Sequence, residues 1–498
     1  MSSACSLLAV LLIAAEPTAA ERRYFEIEVV DAETKRGVPL VELRTVNEVR
    51  YVTDSRGIVA FCEPGLMDRK VFFHIHSHGY EFPADGFGQR GRDLYTGPGG
   101  SARVEIKRIN VAERLYRATG AGIYRDSVLT GRQVPIRRPL LNGQVLGSDS
   151  VLNAVFRGKI YWFWGDTNRP GYPLGNFHVP GATSLLPEHG GLAPGVGVDL
   201  DYFVGEDGFA NETARMPGDG PTWITALVTL DDADGNERLL AGYVKIRNSL
   251  EVYRRGLAEF DPVTERFEQV AEVDLDAPIF SSGHALKHTV DGVEYVYFAD
   301  PFPLVRVRAD AEDFLHPDRY EAFTWQKIEG GQGPGRYAWR KEVPPLTQQE
   351  EAQLIEDGRI AAERARFQLR DRRTGKPVVA HRASVYFNDY RNRFVMIFTE
   401  QGGSSYLGEV WYAEADSPEG PWTEATKIAT HDNYSFYNPK QHPMFDEQGG
   451  RVIYFEGTYT ATFSGNPRKT PRYDYNQIMY RLDLADPRLG LEPPAGRP

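Results

Sequence analysis

Two aspartates 17 residues apart carry the most suggestive chemistry in the chain. Asp149 stands among Gly147, Ser148 and Ser150, small neighbours that leave its carboxylate accessible, and Asp166 closes the string Trp164-Gly165-Asp166-Thr167. Between them lie an apolar run, the turn Arg157-Gly158-Lys159 and a second apolar run, the pattern of an antiparallel hairpin. In such a hairpin the start of one strand and the end of the next share a rim. Two carboxyl groups facing one cavity suit glycoside cleavage: one protonates the leaving oxygen while the other activates water or attacks the anomeric carbon. The plainer reading makes both aspartates turn caps. Glu456, in Tyr454-Phe455-Glu456-Gly457, is a second acid candidate. Aromatic surroundings would raise its proton affinity, as a general acid needs. Alternatively it forms a structural ion pair with Lys440 or Arg382.

Around these acids the reading places His284, His381, Arg382, Lys440, His442, Tyr437, Trp164 and Asp300 as substrate-binding residues. Imidazoles from different units can hydrogen-bond sugar hydroxyls or hold a divalent cation, and aromatic faces can pack on sugar rings. The histidine spacing matches no compact zinc motif, so no metal or other cofactor is assigned, with a divalent cation on the axis kept as an alternative. His74, His76 and His78 alternate along an N-terminal strand and read as a solvated face. Neither a Gly-rich phosphate loop nor a nucleophile-elbow serine is visible.

These residues must be positioned by a repeating β framework. Five hairpin units recur between residues 143 and 484, punctuated by Arg157-Gly158, Asp234-Gly235-Asn236, Asp291-Gly292, Tyr390-Arg391-Asn392 and Gln448-Gly449-Gly450. Most units open with a polar residue and end their second strand with an acid: Asp166, Asp300, Glu400 and Glu456. Five units of about four strands predict an all-β, five-bladed propeller over 143–498, whose innermost strands bring Asp149, His284, Arg382 and His442 to one central funnel. Thr347-Gln348-Gln349-Glu350 predicts a capped helix running toward Arg370, a helical insertion over about 345–370.

Upstream, residues 21–109 alternate apolar and polar positions in short segments, which predicts a small β-sandwich. Residues 110–142 read as a linker in which Ala112, Leu115 and Ala118 line one side of a short helix. The apolar run 7–15, ending near Thr18-Ala19-Ala20, reads as a signal peptide over 1–20 and hence an exported, periplasmic or secreted protein. Cleavage there would leave Cys62 alone, without a disulfide partner. With 57 basic and 69 acidic residues the formal charge is -12, which argues against a nucleic-acid partner. No later run approaches the ~20 apolar residues of a membrane span.

Several strings resemble known families. Val30-Asp31-Ala32-Glu33-Thr34 with Gly37-Val38-Pro39 and Thr53-Asp54-Ser55-Arg56-Gly57 resembles the prealbumin-like domains appended to exported carbohydrate enzymes. The propeller region resembles the five-bladed β-propeller glycoside hydrolases, on Asp149 and on Ala415-Asp416-Ser417-Pro418-Glu419-Gly420-Pro421-Trp422. Asp149 with Phe163-Trp164-Gly165-Asp166-Thr167 is similar to the endo-D-arabinofuranase-like propeller family. That resemblance implies paired catalytic aspartates, with Asp149 as base or nucleophile, and the reading of the residues adds Asp166 or Glu456 as general acid. The expectation is an exported glycoside hydrolase acting on an oligo- or polysaccharide. A non-catalytic carbohydrate-binding propeller and a lyase acting on a uronate, with Arg382 and Lys440 neutralising its charge, are the alternatives.

Overall fold

Alternation of side chains along the N-terminal strands builds a two-sheet unit. The computed structural model describes residues 23–247, 250–327 and 335–493, so the expected leader lies outside the described residues. In Ser101–Arg108, buried Val104 and Ile106 alternate with exposed Arg103, Glu105 and Lys107. One four-stranded sheet runs Ile58–Phe61, Phe25–Asp31, Ser101–Arg108, Tyr80–Glu81. The other runs Arg50–Val52, Glu42–Thr45, Lys70–His76, Gly91–Tyr95. Ile27, Val29, Phe73 and Val104 from both sheets meet in one core.

Beyond this unit five main sheets form a ring, each laid down mainly in chain order from the axis outward, with a small three-stranded sheet of Gly147–Ser148, Thr167–Arg169 and Tyr172–Asn176 in addition. Their first strands are Leu152–Phe156, Thr222–Asp231, His284–Val290, Ala380–Asn388 and Ser435–Gln441. Each of these packs against the next from first to fifth. Polar contacts close the remaining gap: the Ser150 N–H donates to Thr458 Oγ1 at 2.9 Å, and Asn438 Nδ2 to Ser150 Oγ at 2.7 Å. The protein is therefore an all-β five-bladed propeller with a two-sheet unit before it, as the hairpin repeats imply.

Blade five takes its outermost strand from far upstream. Glu113–Arg117 pairs antiparallel with Asn476–Asp483, and Arg481 Nε bonds Glu113 Oε2 at 2.7 Å across the join. This corrects the reading of that segment as one face of a linker helix. A spacing of three suits a helix face, but here all five residues of the strand are buried. Its charged members hid the strand: Arg114 is buried because its guanidinium donates to Pro39 O at 3.0 Å and His78 O at 2.9 Å. The linker's helix is Arg125–Leu129, fastened to the sandwich where the Ala60 N–H bonds Asp126 Oδ1 at 3.0 Å and the Ser127 N–H bonds Asp54 Oδ2 at 2.7 Å.

The insertion helix is shorter than expected. It spans Gln348–Glu356 behind a full Thr347–Glu350 capping box and stops at Asp357 before Gly358, whose φ of 70° ends the helical path. The return segment borders a surface cavity of about 910 Å³ on the outer side of blade four, and none of its lining residues belongs to the expected site.

Candidate functional site

The site forms where the blade-one hairpin loses its regular ladder. Pairing holds from Leu152↔Phe163 to Phe156↔Lys159, and again at Ser148↔Thr167 and Gly147↔Asn168. Between these stretches lie Asp149 to Val151 and Trp164 to Asp166. The Asp149 N–H reaches Asp166 O at 3.4 Å and the Gly165 N–H reaches Asp149 O at 2.8 Å. A Cβ added at Gly165 would lie 2.1 Å from Asp149 Oδ1, so the carboxyl group rests directly over the glycine.

Neighbouring blades complete the surroundings of the pair. The Tyr437 hydroxyl donates to Asp149 Oδ2 at 2.9 Å from blade five, and Trp223 Nε1 donates to Asp166 Oδ1 at 3.1 Å from blade two. Tyr475, in the loop before the Asn476–Asp483 strand, lies with its backbone against Gly147, and its side chain favours the ionised form of Asp149. Both carboxyl groups are largely enclosed yet keep some solvent contact. Burial, reinforced by the nearby Asp166 charge and opposed by the tyrosine hydroxyls, pushes Asp149 up to about 7. Burial also pushes Asp166 up to about 6 against the Trp223 hydrogen bond. Two like charges this close resist ionising together. Asp149, Asp166 and Tyr437 thus meet as expected residues, joined by Trp223 and Tyr475, which sequence reasoning missed.

Glu456 belongs to a different level. The apolar pattern ends its strand at this residue, but Val452–Thr460 continues past it and is buried throughout. Thr458 is level with Asp149 through its bond to Ser150, which leaves Glu456 two residues, roughly 7 Å, deeper. There it pairs across the ladder with Lys440, and its Oε1 lies 3.2 Å from His442 Nε2 without the alignment of a hydrogen bond. Burial lifts Glu456 to about 8 against the pull of Lys440, and burial lowers Lys440 to about 7 against the pull of Glu456. Lys440 Nζ donates to the Tyr386 hydroxyl at 2.6 Å. His284 and His442 are held neutral by burial and by the charge of Lys440, and His284 Nδ1 has no hydrogen-bond partner.

The remaining expected residues divide between rim and core. Arg382 pairs with Asp300, whose other oxygen accepts from Ser282 Oγ at 2.6 Å, so Arg382 is not the partner of Glu456. His381 is lowered by burial and its Nδ1 is unpartnered. Trp164 must be corrected: at 2% exposure it stacks on Trp162 and packs against Tyr202 in the core between blades, leaving no face for a sugar. His74 and His76 lie on an N-terminal strand, whereas His78 turns inward and bonds the Tyr459 hydroxyl through Nε2 at 2.9 Å. Among the described residues no group of three or more His, Cys, Asp or Glu side chains is arranged to hold a metal ion. None of the described helices is long and apolar enough to cross a membrane.

No family model and no curated protein matches the chain. Among solved structures it is similar to a thermostable family-43 glycoside hydrolase, with 12% identity over 71% of this chain and 95% of that one, at a TM-score of 0.33. A family-43 enzyme from Xanthomonas citri shows 12% identity over 69% and 89%, at 0.33. An alpha-L-arabinanase from Penicillium chrysogenum complexed with arabinobiose shows 13% identity over 75% and 99%, at 0.35. Superposition at this level is loose, and the five-bladed architecture rests on the strand order and closure of the ring itself.

Proposed function

We propose that the protein hydrolyses glycosidic bonds of an oligo- or polysaccharide, with Asp149 and Asp166 as the catalytic pair. The observation that carries this reading is the meeting of two carboxyl groups, both with raised proton affinity, at a break in the blade-one ladder on the propeller rim. Burial raises both carboxyl groups, so the pair shares a proton, and the roles proposed are Asp149 as base or nucleophile and Asp166, held by Trp223, as general acid. Arg382, His284 and His381 would orient substrate hydroxyls, and the Arg382–Asp300 pair could exchange its carboxylate for that of an acidic sugar. The apolar run at 7–15 supports action outside the cytoplasm.

Incubation with a glycan panel tests the reading through new reducing ends. Asp149→Asn should lower that rate about 10²- to 10⁴-fold with the fold intact. Asp166→Asn should keep far more of its rate on aryl glycosides with good leaving groups, which need no proton. Equal loss of that variant on both substrates would remove Asp166 from the acid role, and undiminished hydrolysis in Asp149→Asn would remove Asp149 from the mechanism. Absorbance of an unsaturated uronate would mark a lyase, and glycan retention without products a binding protein.

A further inference from the structure

The loop that delivers Tyr475 is held from the N-terminal sandwich. Arg472 and Tyr475 have φ of 65° and 62°, left-handed positions that are uncommon for residues with a Cβ. On the outer side, the Tyr473 hydroxyl donates to the backbone carbonyl of Thr53 in the sandwich at 2.7 Å, a buried bond. The Arg117 guanidinium lies 4.9 Å over the Tyr473 ring. Arg472 bonds Asp126 Oδ2 at 2.7 Å, and the other Asp126 oxygen holds the sandwich backbone at Ala60. Thr470 Oγ1 meets the Tyr459 hydroxyl at 3.1 Å, which in turn meets His78 of the sandwich.

On its inner side the same loop bears on the strand that leads to Asp149. A Cβ at Gly147 would lie 2.3 Å from Tyr475 O, so the two backbones are in direct contact. Asn476 Nδ2 donates to Leu146 O at 3.3 Å and Gln477 Nε2 to Ser148 O at 3.1 Å. Residues 470–477 are thus fixed to the sandwich on one side and to the approach to Asp149 on the other.

We propose that the N-terminal sandwich is a working part of the candidate site: by clamping Arg472 and Tyr473 it holds Tyr475 against Asp149, and these two residues are positioning residues. The inference rests on Asp149 having the catalytic role given above, but its test needs no substrate. The full-length protein carrying ¹³C at aspartate Cγ is titrated by NMR, with the Asp149 resonance identified by its loss in Asp149→Asn. The groups facing Asp149 are Asp166 on its own blade, Tyr437 from blade five and Tyr475 from the loop. A hydroxyl donor favours the ionised carboxylate, so freeing Tyr475 moves the titration upward.

Tyr475→Phe sets the full effect. Tyr473→Phe and Arg472→Ala should each give an upward shift of about half a pH unit or more, with faster amide exchange over 470–476. Arg472→Lys should restore much of both. An unmoved Asp149 titration in Tyr473→Phe and Arg472→Ala overturns the inference, whether or not the loop loosens, as does an unmoved titration in Tyr475→Phe. Because the readout is a carboxyl titration, the clamp stands or falls on it alone, and failure to find a glycan product bears only on the catalytic role.

Discussion

Gly165 shows how tightly the acid pair is drawn. With Asp149 Oδ1 only 2.1 Å from where a Cβ would be, Gly165→Ala must displace the carboxyl group. Misplacement by about 1 Å can cost up to about 10²-fold in rate. Gly165→Ala should therefore lose roughly 10- to 100-fold in turnover while its melting temperature changes little, a pair of measurements that separates displacement from unfolding. The raised proton affinities also fix the sign of a stability effect. An unfolded aspartate titrates near 3.8, whereas folded Asp149 does so at about 7 and Asp166 at about 6. Between these values the folded state binds more protons than the unfolded one, so stability falls as pH rises from about 4 to 7. Asp149→Asn should accordingly melt a few degrees above the parent at pH 8, with the gap closing toward pH 4; thermal scans across that range check it. The pair itself was legible because a hairpin returns its end to its start, 17 positions on. Trp223 and Tyr475 were not, since they arrive from other blades and nothing local in the chain marks their partners. Trp164 failed as a binding residue because alternation assigns a face without telling which face is the core.

At the scale of elements, the turn dipeptides and the acids ending second strands made the blades readable, but a terminal acid misled at one place and an apolar spacing at another. Glu456 follows an apolar run like the other terminal acids, yet its strand continues for four more residues, and burial against Lys440 and His442 replaces the expected rim. In Glu113–Arg117 the strand signal was overwritten by buried charge, above all Arg114, whose partners are backbone carbonyls far away in the chain. The insertion helix was legible at its start, where the cap is local, and less so at its end. Its buried Glu351 accepts the N–H groups of Arg366 and Phe367, both at 2.8 Å, and so ties down the return segment. Thr347→Ala removes the cap and should cost about 1 kcal/mol. Amide exchange should quicken over 348–368 while turnover is unchanged, since none of these residues approaches Asp149.

For the molecule as a whole, sandwich and propeller are sewn together by buried polar contacts. His431 lies on the propeller side of the seam, bonded within the propeller and in ring contact with His78. Its Nδ1 lies 3.0 Å from Gly408 O and its Nε2 2.7 Å from the Tyr480 hydroxyl, and burial lowers it to about 3, so the ring stays neutral beside His78. The strand Glu113–Arg117 completes this unit, and its partner Arg481 lies 368 positions later. That separation dictates an order of assembly. During vectorial synthesis the sandwich has all its strands early, whereas blade five waits with an open edge until almost the whole polypeptide has emerged. Joining such distant segments carries a large loop-closure entropy, which makes ring closure a late and slow event. Until then Glu113–Arg117 is an unpaired strand attached to a finished domain, the segment through which two nascent copies would pair in error.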